Sequence, residues 1–242
     1  MSDTVVVDRR FCGPSDSGNG GYSCGVIARN IGGPAEVTLR QPPPLDQPLA
    51  LERDGDELRV FDGETLVAEA RPVDTVAVDV PEPVSFADAG TAGAGSWIAT
   101  SPEDHPFPTC FVCGPGRAVG DGLRVFVGPV GGRAELYAAP WVPDASLRAP
   151  EGDDQIAPEF VWATLDCAGG IGGLYDAFAA RIPHVLGRLT AEVRGSVVVG
   201  ERCVALGWQL GADGRKVETG SAVVGAGGEV VGRARATWIR LQ

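Results

Sequence analysis

The sequence predicts an α+β protein made of two tandem units, and three observations support this prediction. An apolar run over Pro158–Gly173 is typical of a buried helix. A shorter helical segment starts near Asn19. Each of these two helical segments is followed by short runs in which apolar and polar residues alternate, separated by turns that contain Gly and Asp. This pattern indicates an antiparallel meander. A helix followed by a meander therefore occurs twice, at low sequence identity, as in an internal repeat.

The first unit is predicted over residues 1–84. A strand at 4–7 leads into a Gly-rich loop, and Asn19 is expected to cap the next helix because its side-chain oxygen can accept a bond from the first turn. Gly32 and Gly33 end that helix. The meander strands are predicted at 35–40, 48–53, 57–61 and 65–71.

A composition rich in Pro, Asp, Ala and Gly separates the two units. We interpret residues 85–106 as a linker that carries a short helix, with Ser85 and Asp88 in the spacing of a capping box. The second unit is predicted over residues 107–242. Its strands are expected at 123–127 and 133–137 before the central helix, and at 191–199, 202–210, 216–225 and 230–240 after it.

The central helix is predicted to begin near Ala157. Pro158 fits the first turn because its missing N–H would have no partner there. Apolar residues from 160 to 178 occupy all sides of the 3.6-residue repeat, so the helix is expected to be buried. Negative charge stabilises the positive end of a helix dipole, and three acidic residues lie near this one: Asp153, Asp154 and Glu159.

Asp166 is the carboxylate in the middle of this apolar run. A buried ionised carboxylate is unfavourable unless it is paired, hydrogen-bonded or facing a wet pocket. Two interpretations stay open: a structural acceptor of backbone N–H or Arg bonds, and a general base or nucleophile whose pKa is tuned by burial. The neighbouring glycines indicate close backbone approach, a ligand or an early helix end: Gly169, Gly170, Gly172 and Gly173.

Composition restricts the classes of partner. The 242 residues carry a net charge of −12, which opposes attraction to nucleic acid or to an anionic membrane. The chain has no apolar run near the ~18 residues of a membrane span and no signal-like N-terminus, so a cytoplasmic protein is predicted. The six unevenly spaced cysteines favour free thiols over a disulfide framework.

Three stretches resemble proteins of the thioesterase superfamily. Residues 19–22, NGGY, are similar to the helix entry of the first unit in acyl-CoA thioesterase II type proteins. Residues 110–125 resemble the C-x-x-C-G-P run that precedes the first strand, and residues 160–170 resemble the helix with the acidic catalytic residue. The resemblance implies a double hotdog protein, in which each of two tandem units has a curled antiparallel sheet wrapped around a central helix.

The resemblance also implies a function, an acyl-CoA thioesterase that hydrolyses a thioester with Asp166 as its catalytic residue. Acyl-CoA or a similar small molecule is expected to bind between the two units, and a CoA site would need a local cluster of arginines because the net charge is negative. Association into a homo-oligomer stays open. The expected substrate-binding residues are Asn19, Gly20, Gly21, Trp162, Gly169 and Gly170.

The sequence departs from the family pattern around Asp166. In that pattern the acidic residue cooperates with a hydroxyl residue and a Gln on neighbouring strands. Here the strand after the central helix offers Thr190 and Glu192 near the position of the hydroxyl residue. The last strand offers Arg235 and Thr237, with no Gln where the family pattern has one. The alternative is therefore a noncatalytic binder of acyl-CoA or a related apolar small molecule on the same fold.

No metal or other cofactor is predicted. His105, Cys110 and Cys113 could supply three zinc ligands, but a structural zinc site needs four and no second pair follows at a suitable spacing. Cys110 and Cys113 are interpreted as buried thiols in a tight turn. Cys167 is interpreted as inert because an apolar neighbourhood raises a thiol pKa. A dehydratase would need an Asp and His pair, which the sequence does not place in a suitable motif.

Overall fold

The computed structural model describes residues 4–149 and 154–241. Within them lie five α-helices and eleven strands. The helices are α1 (Gly20–Ala28), α2 (Phe86–Ala94), α3 (Trp97–Thr100), α4 (Pro158–Gly173) and α5 (Tyr175–Ala179). The strands are β1 (Thr4–Val6), β2 (Ala35–Leu39), β3 (Pro48–Asp54), β4 (Glu57–Asp62), β5 (Thr65–Pro72), β6 (Gly128–Pro129), β7 (Tyr137–Trp141), β8 (His184–Val193), β9 (Cys203–Asp213), β10 (Lys216–Val224) and β11 (Val230–Arg240).

All strands join one antiparallel sheet in the order β1-β3-β4-β5-β2-β8-β11-β10-β9-β7-β6. The four strands after α1 and the four after α4 have the same arrangement, because the first meander strand of each unit pairs with the last. The units meet where β2 pairs with β8, with Val37 opposite Leu189. The predicted repeat of helix and meander is confirmed.

The start of the second unit differs from the prediction. Residues 123–127 join no strand ladder, because Arg124 has a φ of 54° and the N–H groups on either side of it bond to the preceding turn. Leu123 N–H donates to the Phe111 carbonyl at 2.8 Å, and Val125 N–H donates to the Val112 carbonyl at 2.9 Å. The strand predicted at 133–137 begins only at residue 137, after Glu135 interrupts the extended backbone with a φ of 58°.

Residues 85–106, predicted as a linker, are folded against the second unit. Ser85 caps α2 as predicted, since its hydroxyl accepts a bond from Asp88 N–H at 3.1 Å. Ala89 of α2 is buried in a cluster with Leu206 of β9 and other residues on that face of the sheet. The connection therefore covers the face of the second meander that points away from α4.

Helix α4 has the bounds that its sequence predicts. It begins at Pro158 with Ala157 as N-cap, and nearly all of its side chains are buried. Glu159 in the first turn lies 3.4 Å from the Arg29 guanidinium, an ion pair that ties α4 to the residue after α1. Asp154 instead pairs with an arginine of the preceding loop, and Asp153 lies outside the described residues. None of the described helices is long and apolar enough to cross a bilayer.

The two central helices cross at a distance that only glycine permits. A Cβ added at Gly21 of α1 would lie 2.3 Å from Asp166 Cβ and 2.6 Å from the Trp162 carbonyl oxygen. A Cβ at Gly25, one turn later, would lie 2.7 Å from Glu159 Cα. Each of these distances is shorter than carbon or oxygen atoms tolerate, so the helix crossing requires glycine at both positions.

This crossing gives a stability prediction. Gly21→Ala should lower the free energy of unfolding by ~1–3 kcal/mol or more, the cost typical of overpacking, because α1 must move away from α4. Gly90→Ala in α2 is the matched control, since a Cβ there meets no atom within 4 Å. It should stabilise the protein by roughly 0.5–1 kcal/mol, the helical advantage of Ala over Gly. Urea unfolding measures both, and equal effects of the two substitutions would contradict the close crossing.

Candidate active site

A cavity of about 580 Å³ opens between the two units. Its wall combines the loop before α1, the end of β2, the middle of α4 and the ends of β8 and β11. The wall is mainly apolar, as expected for a small-molecule site. The apolar residues in it include Leu39, Phe107, Ile171, Phe178, Leu186 and Trp238.

Asp166 lies in this wall, and only 1% of it is exposed. Its Oδ2 accepts a bond from Gly21 N–H at 2.7 Å, which places the carboxylate at the positive end of the α1 dipole. Its Oδ1 is buried without a hydrogen-bond partner among the described residues. Burial raises the pKa of Asp166 to about 7, against the opposing effect of the Gly21 bond. A purely structural role for Asp166, as an acceptor of backbone hydrogen bonds, therefore explains the position of Oδ2 but not that of Oδ1.

Asn19 and Gly20 also lie in the cavity wall. Asn19 caps α1 as predicted, since its Oδ1 accepts a bond from Tyr22 N–H at 2.9 Å. Gly20 is the first residue of α1, where a backbone N–H has no acceptor within the helix. A Cβ at Gly20 would lie 2.8 Å from Leu186 Cδ2, so glycine at this position lets the Leu186 side chain pack against the start of the helix.

The other four predicted substrate-binding residues are not part of the described cavity wall. Gly21 and Trp162 form the helix crossing, and Gly21 reaches the site only through its N–H. Gly170 packs under the Trp238 ring, where an added Cβ would lie 2.2 Å from a ring carbon. Gly169 faces side chains of β10. These glycines serve close packing here, and their part in ligand binding stays a prediction.

Several wall residues come from parts of the chain that the sequence did not connect with the site. Trp238 on β11, His184 and Leu186 on β8, and Phe178 on α5 all line the cavity. They lie on strands and helix ends that follow α4, and no local motif marks them. The pairing of β8 with β11 brings the three strand residues together, and Phe178 packs edge-on against His184 and Trp238.

The residues considered as partners of Asp166 lie on the opposite face of the sheet. Thr190 alternates with the buried Leu189 and Ala191, and its hydroxyl bonds to Glu36 at 3.2 Å. Glu192 on the same face pairs with arginines of that face. On β11 the corresponding residues, Arg235 and Thr237, alternate with inward-facing alanines and Trp238. None of the four lines the cavity in the described chain.

Three cysteines lie beside Asp166 instead. The sulfurs of Cys110, Cys113 and Cys167 all lie within 4.8 Å of one another, and those of Cys110 and Cys167 are 3.9 Å apart. The neighbouring Cys113 and Cys167 thiols hold the pKa of the Cys110 thiol well below its usual range. Hydrogen bonds with Cys110 raise the pKa of Cys113 and Cys167. Cys167 is therefore a poor nucleophile, chiefly because its hydrogen bond with Cys110 raises its pKa.

The cavity wall holds few cations. Arg40 is the one arginine among its described residues, and its guanidinium lies 2.5 Å from the Glu69 carboxylate. The local cluster of arginines that a CoA site was expected to need is absent from the described wall. The site therefore has no evident subsite for a polyphosphate.

Comparison with known proteins relates this geometry to a fold. No protein-family model matches the chain, and no curated protein matches it. Solved structures do match. A conserved protein of unknown function with hot dog fold from Alicyclobacillus acidocaldarius has a TM-score of 0.62 at 11% identity, covering 99% of this chain and 92% of that one. The chain has a double hotdog fold.

Two further solved structures match over most of the chain. Acyl-CoA thioesterase II TesB2 from Mycobacterium marinum matches with a TM-score of 0.59 at 13% identity, covering 98% of this chain and 92% of that one. The tesB protein MAP1729c from Mycobacterium avium subspecies paratuberculosis matches with a TM-score of 0.57 at 15% identity, covering 93% of this chain and 88% of that one.

In this double hotdog, His105 is a buried histidine at the cavity wall. Its Nδ1 accepts a bond from Phe107 N–H at 3.0 Å, and its ring stacks on Trp97 with centroids 5.5 Å apart. Its Nε2 has no partner among the described residues. Burial lowers the pKa of His105.

The lowered pKa of His105 makes stability depend on pH. The unfolded chain binds a proton below about pH 6.5 that the folded chain resists, so this contribution is complete above pH 6.5 and is lost as pH falls further. His105→Asn keeps an acceptor for Phe107 N–H and removes the titration. Thermal unfolding at several pH values should show the wild type losing up to about 1.4 kcal/mol per pH unit relative to the variant below pH 6.5. Parallel curves for the two proteins would contradict a buried, neutral His105.

Proposed function

We propose that this protein hydrolyses an acyl thioester held in the cavity between the two units, with Asp166 as general base. The observation that carries the proposal is the free Oδ1 of a buried carboxylate in an apolar cavity wall, beside the N-terminus of α1. The likeness in fold to a protein named acyl-CoA thioesterase II supports it. An acyl chain would occupy the apolar end of the cavity.

The proposed reaction uses groups of this chain alone. Asp166 Oδ1 accepts a proton from water as the water oxygen attacks the thioester carbonyl carbon. The resulting oxyanion accepts a bond from the N–H of Gly20, which the α1 dipole strengthens. The carbon–sulfur bond then breaks, and the leaving thiolate takes the proton from Asp166. The bond from Gly21 N–H keeps the carboxylate oriented throughout.

A noncatalytic binder is the second candidate, and one observation favours it. The hydroxyl residues at the expected spacing point to the opposite face of the sheet, and a thiol cluster lies beside Asp166 in their place. A binder would use the same cavity, with Asp166 as a hydrogen-bonding group. Saturable stabilisation by acyl compounds without product release would support it.

Replacement of the carboxylate tests the proposed base. Asp166→Asn should lower kcat/KM for the best acyl thioester by about 100- to 10,000-fold, the usual contribution of a general base. Free thiol released from a panel of acyl chain lengths measures the rate. Asp176→Asn on α5, an exposed carboxylate outside the cavity wall, is the matched control and should keep full activity. Unchanged turnover in Asp166→Asn would refute the assignment, and a wild type that binds without turnover would favour the binder.

The scarcity of cations in the wall predicts a weak preference for the CoA moiety. The same acyl group on CoA and on N-acetylcysteamine, which has no phosphates, should give kcat/KM values within about tenfold, or about 1.4 kcal/mol. Arg40→Ala should change neither value by more than that factor. A much larger preference for CoA that Arg40→Ala abolishes would show a phosphate subsite and contradict this prediction.

A further inference from the structure

We propose that Cys110, Cys113 and Cys167 form a binding site for Zn²⁺, with a fourth coordination position facing the cavity. The three sulfurs lie within 4.8 Å of one another, and all three residues are in the cavity wall. Two sulfurs on a tetrahedral zinc at ~2.3 Å are about 3.8 Å apart. The observed separation of Cys110 and Cys167, 3.9 Å, requires little rearrangement.

Two of these cysteines, Cys110 and Cys113, lie on one tight turn. Gly114 closes the turn, with its N–H bonded to the Cys110 carbonyl at 2.9 Å. A Cβ at Gly114 would lie 2.4 Å from that carbonyl oxygen and 2.5 Å from the Cys110 nitrogen, so the turn requires glycine. A C-x-x-C turn of this kind presents two sulfurs to one ion.

The third sulfur and its support come from the central helices. Cys167 projects from α4 toward the turn. The side-chain amide of Asn19, at the start of α1, donates hydrogen bonds from Nδ2 to the sulfurs of Cys167 at 3.5 Å and Cys110 at 3.7 Å. The orientation of this amide is fixed because Tyr22 N–H occupies its Oδ1. Hydrogen bonds of this type to ligating atoms orient them and tune a metal site.

Charge and geometry favour zinc over a monovalent soft ion. Three thiolates with Zn²⁺ carry a net charge of −1, and with a monovalent ion −2, which is more costly in a buried apolar wall. Zn²⁺ binding displaces the remaining thiol protons to solvent. The described chain places no fourth His, Cys, Asp or Glu ligand atom within the same 4.8 Å group. The fourth position is therefore open to water or to a ligand in the cavity, as in zinc sites that bind substrates.

Metal binding to the 242-residue chain tests this site directly. The protein is stripped with a chelator under reducing conditions, and Co²⁺ is added as a spectroscopic probe for Zn²⁺. We expect one equivalent of Co²⁺ to give sulfur-to-cobalt charge-transfer absorption and tetrahedral ligand-field bands, and Zn²⁺ to displace it. A wild-type spectrum without sulfur ligation would overturn the proposal and leave a hydrogen-bonded cluster of three thiols.

Serine variants identify the ligands. Cys113→Ser and Cys167→Ser should each weaken Zn²⁺ binding by at least about 100-fold in competition with a chromophoric chelator, since loss of even an outer partner weakens a metal site 10- to 100-fold. Cys24→Ser and Cys203→Ser are matched controls, because both residues are buried free cysteines outside the cluster. Circular dichroism verifies that each variant is folded. Equal weakening by the control substitutions would also contradict the site.

Discussion

The close crossing of α1 and α4 is the contact on which the rest of the structure depends. Gly21 and Gly25 let the two backbones approach, and the same approach brings Gly21 N–H to the carboxylate of Asp166. A larger residue at either position would separate the helices and leave a buried carboxylate without its donor. Packing and site geometry are therefore set by one constraint, and the cavity opens beside the crossing, where the first residue of α1 meets the wall formed by β8.

The site exists only because two units are joined. One unit supplies the start of α1, and the other supplies Asp166, Cys167 and the strands that close the cavity. The Cys110 turn lies ahead of the second unit's sheet and contacts the first unit through Phe111 N–H, which donates to the Cys12 carbonyl. The neighbours in fold include proteins named as thioesterases, yet the surroundings of Asp166 here are thiols and an amide. A shared fold with a different set of side chains is how one architecture takes on different chemistries.

Local patterns in the sequence predicted the two central helices and most meander strands, but they placed the strand after α4 at 191–199, where β8 spans His184–Val193. Long-range contacts limited what the patterns could say about the site. The bounds of α4 and the Asn19 cap followed from proline placement, apolar periodicity and capping chemistry. Whether Asp166 faces a cavity depends on the α1 crossing, and Cys167 is far in sequence from the C-x-x-C turn it joins. Trp162, Gly169 and Gly170 were expected at the ligand because a glycine-rich apolar helix fits both packing and binding. Only the position of Trp238 over Gly170 distinguishes the two.

We propose that Asp166 and the start of α1 act on one carbonyl group in the cavity. A crystal structure with a carba analogue of the preferred acyl thioester, in which a methylene replaces the sulfur, tests this most directly. We expect the carbonyl oxygen about 2.7–3.2 Å from Gly20 N and a water between the carbonyl carbon and Asp166 Oδ1. An acyl chain bound elsewhere, or a carbonyl turned away from both groups, would contradict it.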